Sequence, residues 1–229
     1  MLSLVLGLVA SGLTAGATPA VAETPTASSV ERLCGPAQPG LFTCFGMRHT
    51  GGGTGKGVKP TAQPPKGYSP ADLLDAYALP RNGGAGQTVA IVDAYDNPNA
   101  EADLAVYRAQ YGLPPCTTAN GCFRKVDQWG GNAYPIADEG WAGEMDLDLD
   151  MVSAIAPRAR IILVEASTAR NADLGTAVNE AVALGAKFVS NSYGGYYYPD
   201  PSDAADLAAM DAAYYDHPGV AVVDRKSVV

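Results

Sequence analysis

The stretch Glu144-Met-Asp-Leu-Asp-Leu-Asp-Met-Val-Ser-Ala-Ile-Ala156 decides the fold of this chain. Its apolar residues recur at helical spacing and a proline follows it, so it predicts a helix that packs on a core. On a helical wheel at about 100° per residue, Glu144 and Asp148 fall between two apolar flanks. Asp146 and Asp150 fall on the opposite side. The pattern therefore predicts two carboxyls inside the apolar arc and two that face solvent.

The wheel also fixes the expected directions of the other side chains. The first flank holds Met145, Leu149, Val152 and Ala156, the second holds Leu147, Met151 and Ala154, Ile155 lies between the flanks, and Ser153 joins the solvent-facing aspartates. Such an arc predicts a helix that covers one face of a sheet or of another helix.

The carboxyl pair inside the arc predicts a functional site. Like charges four residues apart on a helix repel each other, and burial disfavours the ionised form of a carboxyl. Glu144 and Asp148 should therefore share a proton and titrate as a coupled pair, and such pairs carry out acid–base chemistry. The structural alternative is that Glu144 suits the helix dipole in the first turn, while Asp148 accepts hydrogen bonds from a loop.

Composition limits the class of protein. The chain has 229 residues, a formal net charge of −9, a pI near 4.6 and 47% hydrophobic residues. These values predict one globular domain with a sizeable core, preceded by leader segments. The acidic balance argues against nucleic acid and anionic membranes as partners.

The N-terminal residues are typical of an exported protein. Residues 2–13 are mostly apolar, and Ala20-Val21-Ala22 forms a small-x-small cleavage site, so 1–22 is interpreted as a signal peptide. The apolar run contains polar residues and is short for a membrane anchor, which is the alternative. Residues 23–66 are rich in Pro, Gly, Ser and Thr and predict a leader or linker. We expect a secreted protein without a membrane partner once the signal is removed.

Four cysteines stand as two close pairs in a chain for which an export signal is predicted. The disulfides Cys34–Cys44 and Cys116–Cys122 are therefore predicted. A zinc site is the alternative, but neither histidine of the chain stands at ligand spacing to a cysteine pair. No metal ligand set is predicted.

From residue 68 onward, short apolar runs alternate with amphipathic segments. Strands are predicted at 88–92, 123–126, 160–164, 187–190 and 220–223, and helices at 70–80, 100–111, 144–156, 173–184 and 204–215. Continuous apolar strands separated by such helices indicate an α/β fold with a mainly parallel sheet covered on both faces. Ligands bind beyond the carboxyl ends of the strands in such sheets. Asp93 follows one strand, and residues 191–195 follow another.

Several stretches together resemble the sedolisin peptidases, the serine-carboxyl relatives of subtilisin. They are Tyr68-Ser-Pro-Ala-Asp-Leu-Leu, Ala76-Tyr-Ala-Leu-Pro80, Thr88-Val-Ala-Ile-Val-Asp93, Gly143-Glu-Met-Asp-Leu-Asp-Leu-Asp150, Ala156-Pro157 and Val189-Ser-Asn-Ser-Tyr-Gly-Gly195. The resemblance implies a subtilisin-like fold and an acid-acting endopeptidase whose substrates are polypeptides. It covers residues 67–223 as the N-terminal part of a peptidase domain, for which we expect a monomer.

The resemblance implies a role for individual residues. Asp148 would be the general base that accepts the proton of a distant serine, and Glu144 would orient Asp148 and hold the shared proton. Asp93 would be a supporting acid linked by a hydrogen bond to the triad glutamate, or alternatively a loop cap. The residues expected along the substrate backbone are Ser192, Tyr193, Gly194 and Gly195, where Tyr193 replaces a tryptophan of some members.

The chain also departs from the family pattern. It contains no Gly-Thr-Ser nucleophile segment and no Gly-Asp-Ser-Gly oxyanion turn, and 224–229 form an aberrant basic tail. We therefore expect a domain incomplete at its C-terminus and inactive as written. Calcium is expected only for the complete family domain, and no cofactor is expected within this chain.

Other classes of protein remain as alternatives. A non-catalytic acidic α/β module that binds calcium or peptide, or a degenerate pseudo-peptidase, is also compatible with the sequence. A phosphotransfer domain is disfavoured because the glycines at 83, 84 and 86 precede the first strand of the sheet.

Overall fold

The structure, a computed structural model, describes residues 30–49, 67–195 and 208–224. The predicted signal peptide, parts of the predicted leader, the start of the predicted helix 204–215 and the tail beyond Asp224 lie outside the described residues. Within them, no helix has the length and apolar character needed to cross a membrane.

Strands and helices alternate along the chain from residue 70. The strands are β1 Val30–Arg32, β2 Thr43–Cys44, β3 Met47–His49, β4 Thr88–Ala94, β5 Phe123–Asp127, β6 Arg160–Ala166, β7 Phe188–Asn191, β8 Tyr193–Gly194 and β9 Ala221–Asp224. The helices are α1 Pro70–Ala76, α2 Ala100–Gln110, α3 Glu139–Ile155 and α4 Asn171–Ala183, and a π-helical turn spans Asp211–Tyr215. The five strands of 88–224 and the described helices agree with the predicted ones, and the ends of most differ by a few residues. The short strands β1, β2, β3 and β8 were not predicted.

A five-stranded sheet of order β5-β6-β4-β7-β9 forms the centre of the fold, and all its pairs are parallel. Successive residues of β4 and β6 are buried almost without interruption. Since successive side chains of a strand point to opposite faces, both faces of the sheet are covered. Helix α3 packs on β4 and on α1 and α2, and α4 packs on β4, β6 and β7. The predicted α/β fold class is confirmed.

Helix α3 begins earlier than its apolar pattern predicts. The Asp138 side chain accepts a hydrogen bond from the backbone N–H of Trp141 at 2.9 Å and caps the helix before Glu139. Glu144 therefore lies in the second turn, beyond the unpaired backbone N–H groups of the first turn with which a carboxylate could interact. The alternative role for Glu144 as a first-turn charge is wrong.

The helical wheel correctly predicts that Glu144 and Asp148 are buried, but it is wrong about the exposure of several neighbouring residues. Ser153 is fully buried, and Asp146 and Asp150 are half-buried rather than exposed. Helix α2 covers this side of α3, where the Arg108 guanidinium donates a hydrogen bond to Ser153 Oγ at 2.9 Å. Two side chains predicted for the apolar arc, Leu147 and Met151, are exposed to 40% and 37%.

Residues 30–49, within the predicted leader, pack against the sheet domain. Strands β1 and β3 pair with each other, and β2 pairs with β8 of the domain. The structure contains both predicted disulfides. Their Cα–Cα separations are 5.5 Å for Cys34–Cys44 and 4.8 Å for Cys116–Cys122, within the range that a disulfide requires.

Candidate active site

Two buried carboxyls project from one face of α3 at the carboxyl end of the sheet. The exposed fraction is 3% for Glu144 and 9% for Asp148. They stand one helical turn apart, so their side chains lie on the same face. Asp148 reaches Ser192, which directly follows β7. The structure thus brings together the two residues predicted as catalytic and one of those predicted to bind substrate.

Asp148 has one oxygen in a hydrogen bond and one without. Ser192 Oγ donates to Asp148 Oδ1 at 2.8 Å, while Oδ2 is buried and has no partner within the described residues. Burial raises the pKa of Asp148 to about 7; the Ser192 hydroxyl opposes this rise and the Glu144 carboxylate adds to it. The pair formed by Asp148 and Glu144 therefore takes up a proton as the pH falls through about 7.

Glu144 accepts a hydrogen bond from a residue far away in the sequence. The backbone N–H of Gly46 donates to Glu144 Oε2 at 2.5 Å. A Cβ atom at position 46 would lie 2.6 Å from the same oxygen, so only glycine fits here without displacement of Glu144. No sequence signal marks Gly46 as a site residue, because its surroundings have the composition of a linker.

Asp93 lies at the carboxyl end of β4, close enough to Glu144 and Asp148 for their charges to affect its pKa. It is fully buried, and neither of its carboxyl oxygens has a hydrogen-bond partner within the described residues. Burial raises the pKa of Asp93 well above its ordinary value, and the charges of Asp148, Glu144 and Glu165 raise it further. The structure therefore contains neither the hydrogen bond to Glu144 that the resemblance implied nor the alternative loop cap.

Glu165 is a fourth buried acid at this end of the sheet, and it was not among the predicted site residues. It is the direct neighbour of Asp93 across the β4–β6 pair and is fully buried. Its Oε1 accepts a hydrogen bond from Asn97 N at 2.9 Å and lies 3.4 Å from Lys125 Nζ. Burial raises the pKa of Glu165 to about 8, although the Asn97 and Lys125 contacts oppose this. Its only signal in the sequence is an acidic residue inside an apolar strand.

The predicted substrate edge after β7 is already paired with another strand. Thr43 and Cys44 of β2 lie antiparallel to Tyr193 and Gly194 of β8, with Thr43 opposite Gly194. On the other side of the same segment, Phe42 N donates to Ala169 O at 2.8 Å. The extended segment Phe42–Cys44 therefore lies in a groove between two backbone stretches at the carboxyl end of the sheet, Tyr193–Gly194 on one side and Ala169 on the other.

Aromatic side chains surround this segment. The Tyr193 ring is 5% exposed, and it stacks on Phe42 with ring centroids 5.7 Å apart and lies 6.3 Å from Trp141. A Cβ atom at Gly195 would lie 2.8 Å from the Phe42 ring. A cavity of about 490 Å³ remains beside the segment, bordered by Tyr95, Trp141 and Ala169. The groove between Tyr193–Gly194 and Ala169 is therefore wider than the Phe42–Cys44 segment that occupies it.

The described part of the chain contains no cluster of side chains suited to bind a metal ion. No group of three or more His, Cys, Asp or Glu side chains there could hold an ion. The acids at the carboxyl end of the sheet therefore provide no calcium site of this kind, and the calcium expected for a complete domain has no counterpart among residues 30–49, 67–195 and 208–224.

Comparison with solved structures defines the class of fold. The chain resembles Pseudomonas sedolisin, a serine-carboxyl proteinase solved in complex with two molecules of pseudo-iodotyrostatin, with a TM-score of 0.50 and 23% sequence identity. The match covers 65% of this chain and 40% of that chain. At this identity the similarity establishes the fold, which is the subtilisin-like α/β fold.

A curated relative supports the resemblance that the sequence motifs carry. The chain is 34% identical over 164 residues to kumamolisin of Bacillus sp. (strain MN-32), a match that covers 66% of this chain. The resemblance to the sedolisin family that the sequence motifs predicted is confirmed by this similarity. The chain spans about a quarter (27%) of the length of that relative. A search against models of protein families gives no match.

Proposed function

We propose that this chain supplies the acid–base part of the active site of a serine-carboxyl endopeptidase. The observation that carries the proposal is the buried pair on α3, in which Asp148 Oδ2 has no partner within the described residues. Because Ser192 already occupies Oδ1, Oδ2 is the atom left to accept a proton from a nucleophile. Asp148 is then the general base, and Glu144 orients it and holds the shared proton.

The nucleophile in this mechanism is a serine in the family's Gly-Thr-Ser context, which does not occur in this sequence. The whole active site therefore needs residues beyond those that carry the acid–base pair. We expect the 229-residue chain by itself not to hydrolyse peptides by the triad mechanism, since a triad without its serine retains little activity.

The pair favours catalysis in acid. One proton must remain on the pair while one carboxylate accepts the proton of the nucleophile. Since the pKa of Asp148 is about 7, the pair holds that proton below neutral pH and loses it above. Activity should therefore fall as pH rises through about 7.

The remaining parts of the proposal concern substrate and compartment. Polypeptides are the proposed substrates, with a backbone that lies along Ser192–Gly195, where glycines allow close approach. Because β2 pairs with Tyr193 and Gly194 in this structure, a substrate strand there would take the place of β2. Secretion of a monomer without nucleic acid or membrane partners, and calcium in the complete domain, belong to the same proposal. Asp93 is assigned to the support of the pair, because it is buried at the carboxyl end of β4 and the charges of Asp148 and Glu144 raise its pKa.

The test is hydrolysis of a denatured protein by the complete gene product, expressed with any coding sequence that follows residue 229. We expect hydrolysis at pH 4 that declines above pH 7. Asp148→Asn should lower the rate at least about 100-fold and Glu144→Gln should lower it less, because only the first removes the base itself. Asp75→Asn on α1, whose side chain is 70% exposed, is the control and should leave the rate unchanged. Full activity of Asp148→Asn would refute the mechanism.

A further inference from the structure

The loop that follows β5 exposes three large apolar side chains at the carboxyl end of the sheet. It comprises residues 128–137, and the exposed fraction is 71% for Trp129 and 77% for Ile136, while Tyr134 is also exposed. Single exposed apolar residues are common on protein surfaces, but a group of large ones on one short loop marks a contact surface. We refer to Trp129, Tyr134 and Ile136 as the apolar loop surface.

A buried carboxylate holds this loop in one conformation. Asp127, at the end of β5, accepts hydrogen bonds from the backbone N–H groups of Trp129, Gly131 and Ala133 at 2.8, 3.0 and 2.8 Å. Burial raises the pKa of Asp127, but the three hydrogen bonds outweigh it and lower that pKa below its ordinary value. The carboxylate therefore keeps the loop in shape in acid, where the proposed enzyme works. A surface that is already ordered binds a ligand without an entropic cost for its own ordering.

Both ends of the loop are connected to the walls of the groove. At its start, Gln128 Oε1 accepts a hydrogen bond from Ser167 N at 2.6 Å, two residues before Ala169. At its end, Ala137 borders the cavity that lies beside the groove, as Ala169 also does. The cavity therefore joins the apolar loop surface to the groove along Tyr193–Gly194.

The strand order gives the distance between the loop and the catalytic pair. Ser192, which donates to Asp148, follows β7, and β5 lies three strand spacings away in the order β5-β6-β4-β7. At about 4.8 Å per spacing the separation is about 14 Å, which about four residues of extended chain would span. A polypeptide bound at Asp148 therefore reaches the loop only with residues about four or more positions from the bond that is cut.

We infer that the apolar loop surface binds an apolar side chain of the polypeptide substrate, away from the residues next to the cut bond. The inference rests on the proposed function. An unfolded protein is the partner that suits this arrangement, because its backbone can follow the groove while an aromatic or aliphatic side chain further along packs on Trp129 and Ile136. Tryptophan and tyrosine are among the side chains that most often dominate binding energy. The surface therefore makes the enzyme favour unfolded proteins over short peptides.

The test compares two substrates of the complete gene product at pH 4. One is reduced, carboxymethylated α-lactalbumin, and the other is a fluorogenic tetrapeptide, which is too short to reach the loop. The double change Trp129→Ser and Ile136→Ser should raise KM for the protein at least about fivefold and leave its kcat unchanged, since truncation of a dominant contact costs at least this much affinity. Hydrolysis of the tetrapeptide should stay at the wild-type rate. Val106→Ser, at an exposed apolar position of α2, is the control and should affect neither substrate.

Binding is measured separately from hydrolysis. Acrylamide quenching of Trp129 fluorescence is obtained in Asp148→Asn, as the difference from a variant that also carries Trp129→Phe. Carboxymethylated α-lactalbumin should reduce this quenching, because the indole is covered in the complex, and an oligosaccharide such as cellohexaose should not. Protection by the oligosaccharide alone would overturn the inference.

The two measurements separate the outcomes. If the wild type and the double serine variant hydrolyse α-lactalbumin with the same KM, the inference is wrong and the proposed function stands. If the wild type hydrolyses nothing while α-lactalbumin protects Trp129, the apolar loop surface is a polypeptide-binding site and the proposed function is wrong. If there is neither hydrolysis nor protection, both are wrong.

Discussion

Replacement of Asp148 by asparagine should make the stability of this protein less dependent on pH. Burial raises the pKa of Asp148 from its ordinary value of 3.8 to about 7. A carboxyl whose pKa is raised by folding stabilises the folded state fully below its unfolded pKa, and this stability is lost as pH rises through the folded pKa. The free energy of unfolding should therefore decrease between about pH 4 and pH 8. Asparagine cannot ionise, so the part of this decrease that Asp148 contributes is absent in Asp148→Asn.

The size of the effect follows from the two pKa values. A difference between 3.8 and about 7 corresponds, at about 1.4 kcal/mol per pH unit, to an upper limit of roughly 4 kcal/mol. Because Glu144 is one turn away and shares the titration, part of this energy belongs to the pair and not to Asp148 alone. We therefore expect asparagine to remove between about 1 and 4 kcal/mol of the wild-type decrease.

The assay is urea denaturation of the complete gene product between pH 4 and pH 8. The wild type, Asp148→Asn and Asp75→Asn are compared at each pH. Asp75 is the control because its side chain is 70% exposed, so its substitution should leave the pH dependence as in the wild type. Parallel curves for the wild type and Asp148→Asn would mean that Asp148 is not held in a buried, coupled site, which would refute the reasoning.

Three further perturbations test the contacts around the site. Ser192→Ala removes the hydroxyl that lowers the pKa of Asp148, so carboxyl NMR should give a pKa above the wild-type value, and an unchanged pKa would contradict the hydrogen bond. Arg108→Met leaves buried oxygens without their donor and should lower the free energy of unfolding by about 2–4 kcal/mol, whereas wild-type stability in urea would contradict this. The double change Cys34→Ser and Cys44→Ser opens the N-terminal loop, so hydrogen exchange at the β2 amides should become at least about tenfold faster. Equal exchange would mean that the disulfide does not hold β2 on β8.

The local elements of this fold could be predicted because their signals lie within short stretches of sequence. The apolar runs of β4 and β6 give buried parallel strands, and the helical period of α3 places Glu144 and Asp148 on its buried face. The disulfide partners are also close in sequence. In each case the physical cause, a repeat of side-chain direction or a short loop, involves neighbours along the chain.

The tertiary structure decided which surfaces of these elements are covered. A helical wheel gives the direction of a side chain but not the partner that it meets, so the burial of Ser153 depends on Arg108 from α2. In the same way, Glu165 meets Asp93 only through the order of the strands. Gly46 meets Glu144 because a segment with the composition of a linker adds a strand to β8. These contacts join residues tens of positions apart, and their energies depend on packing that no local pattern specifies.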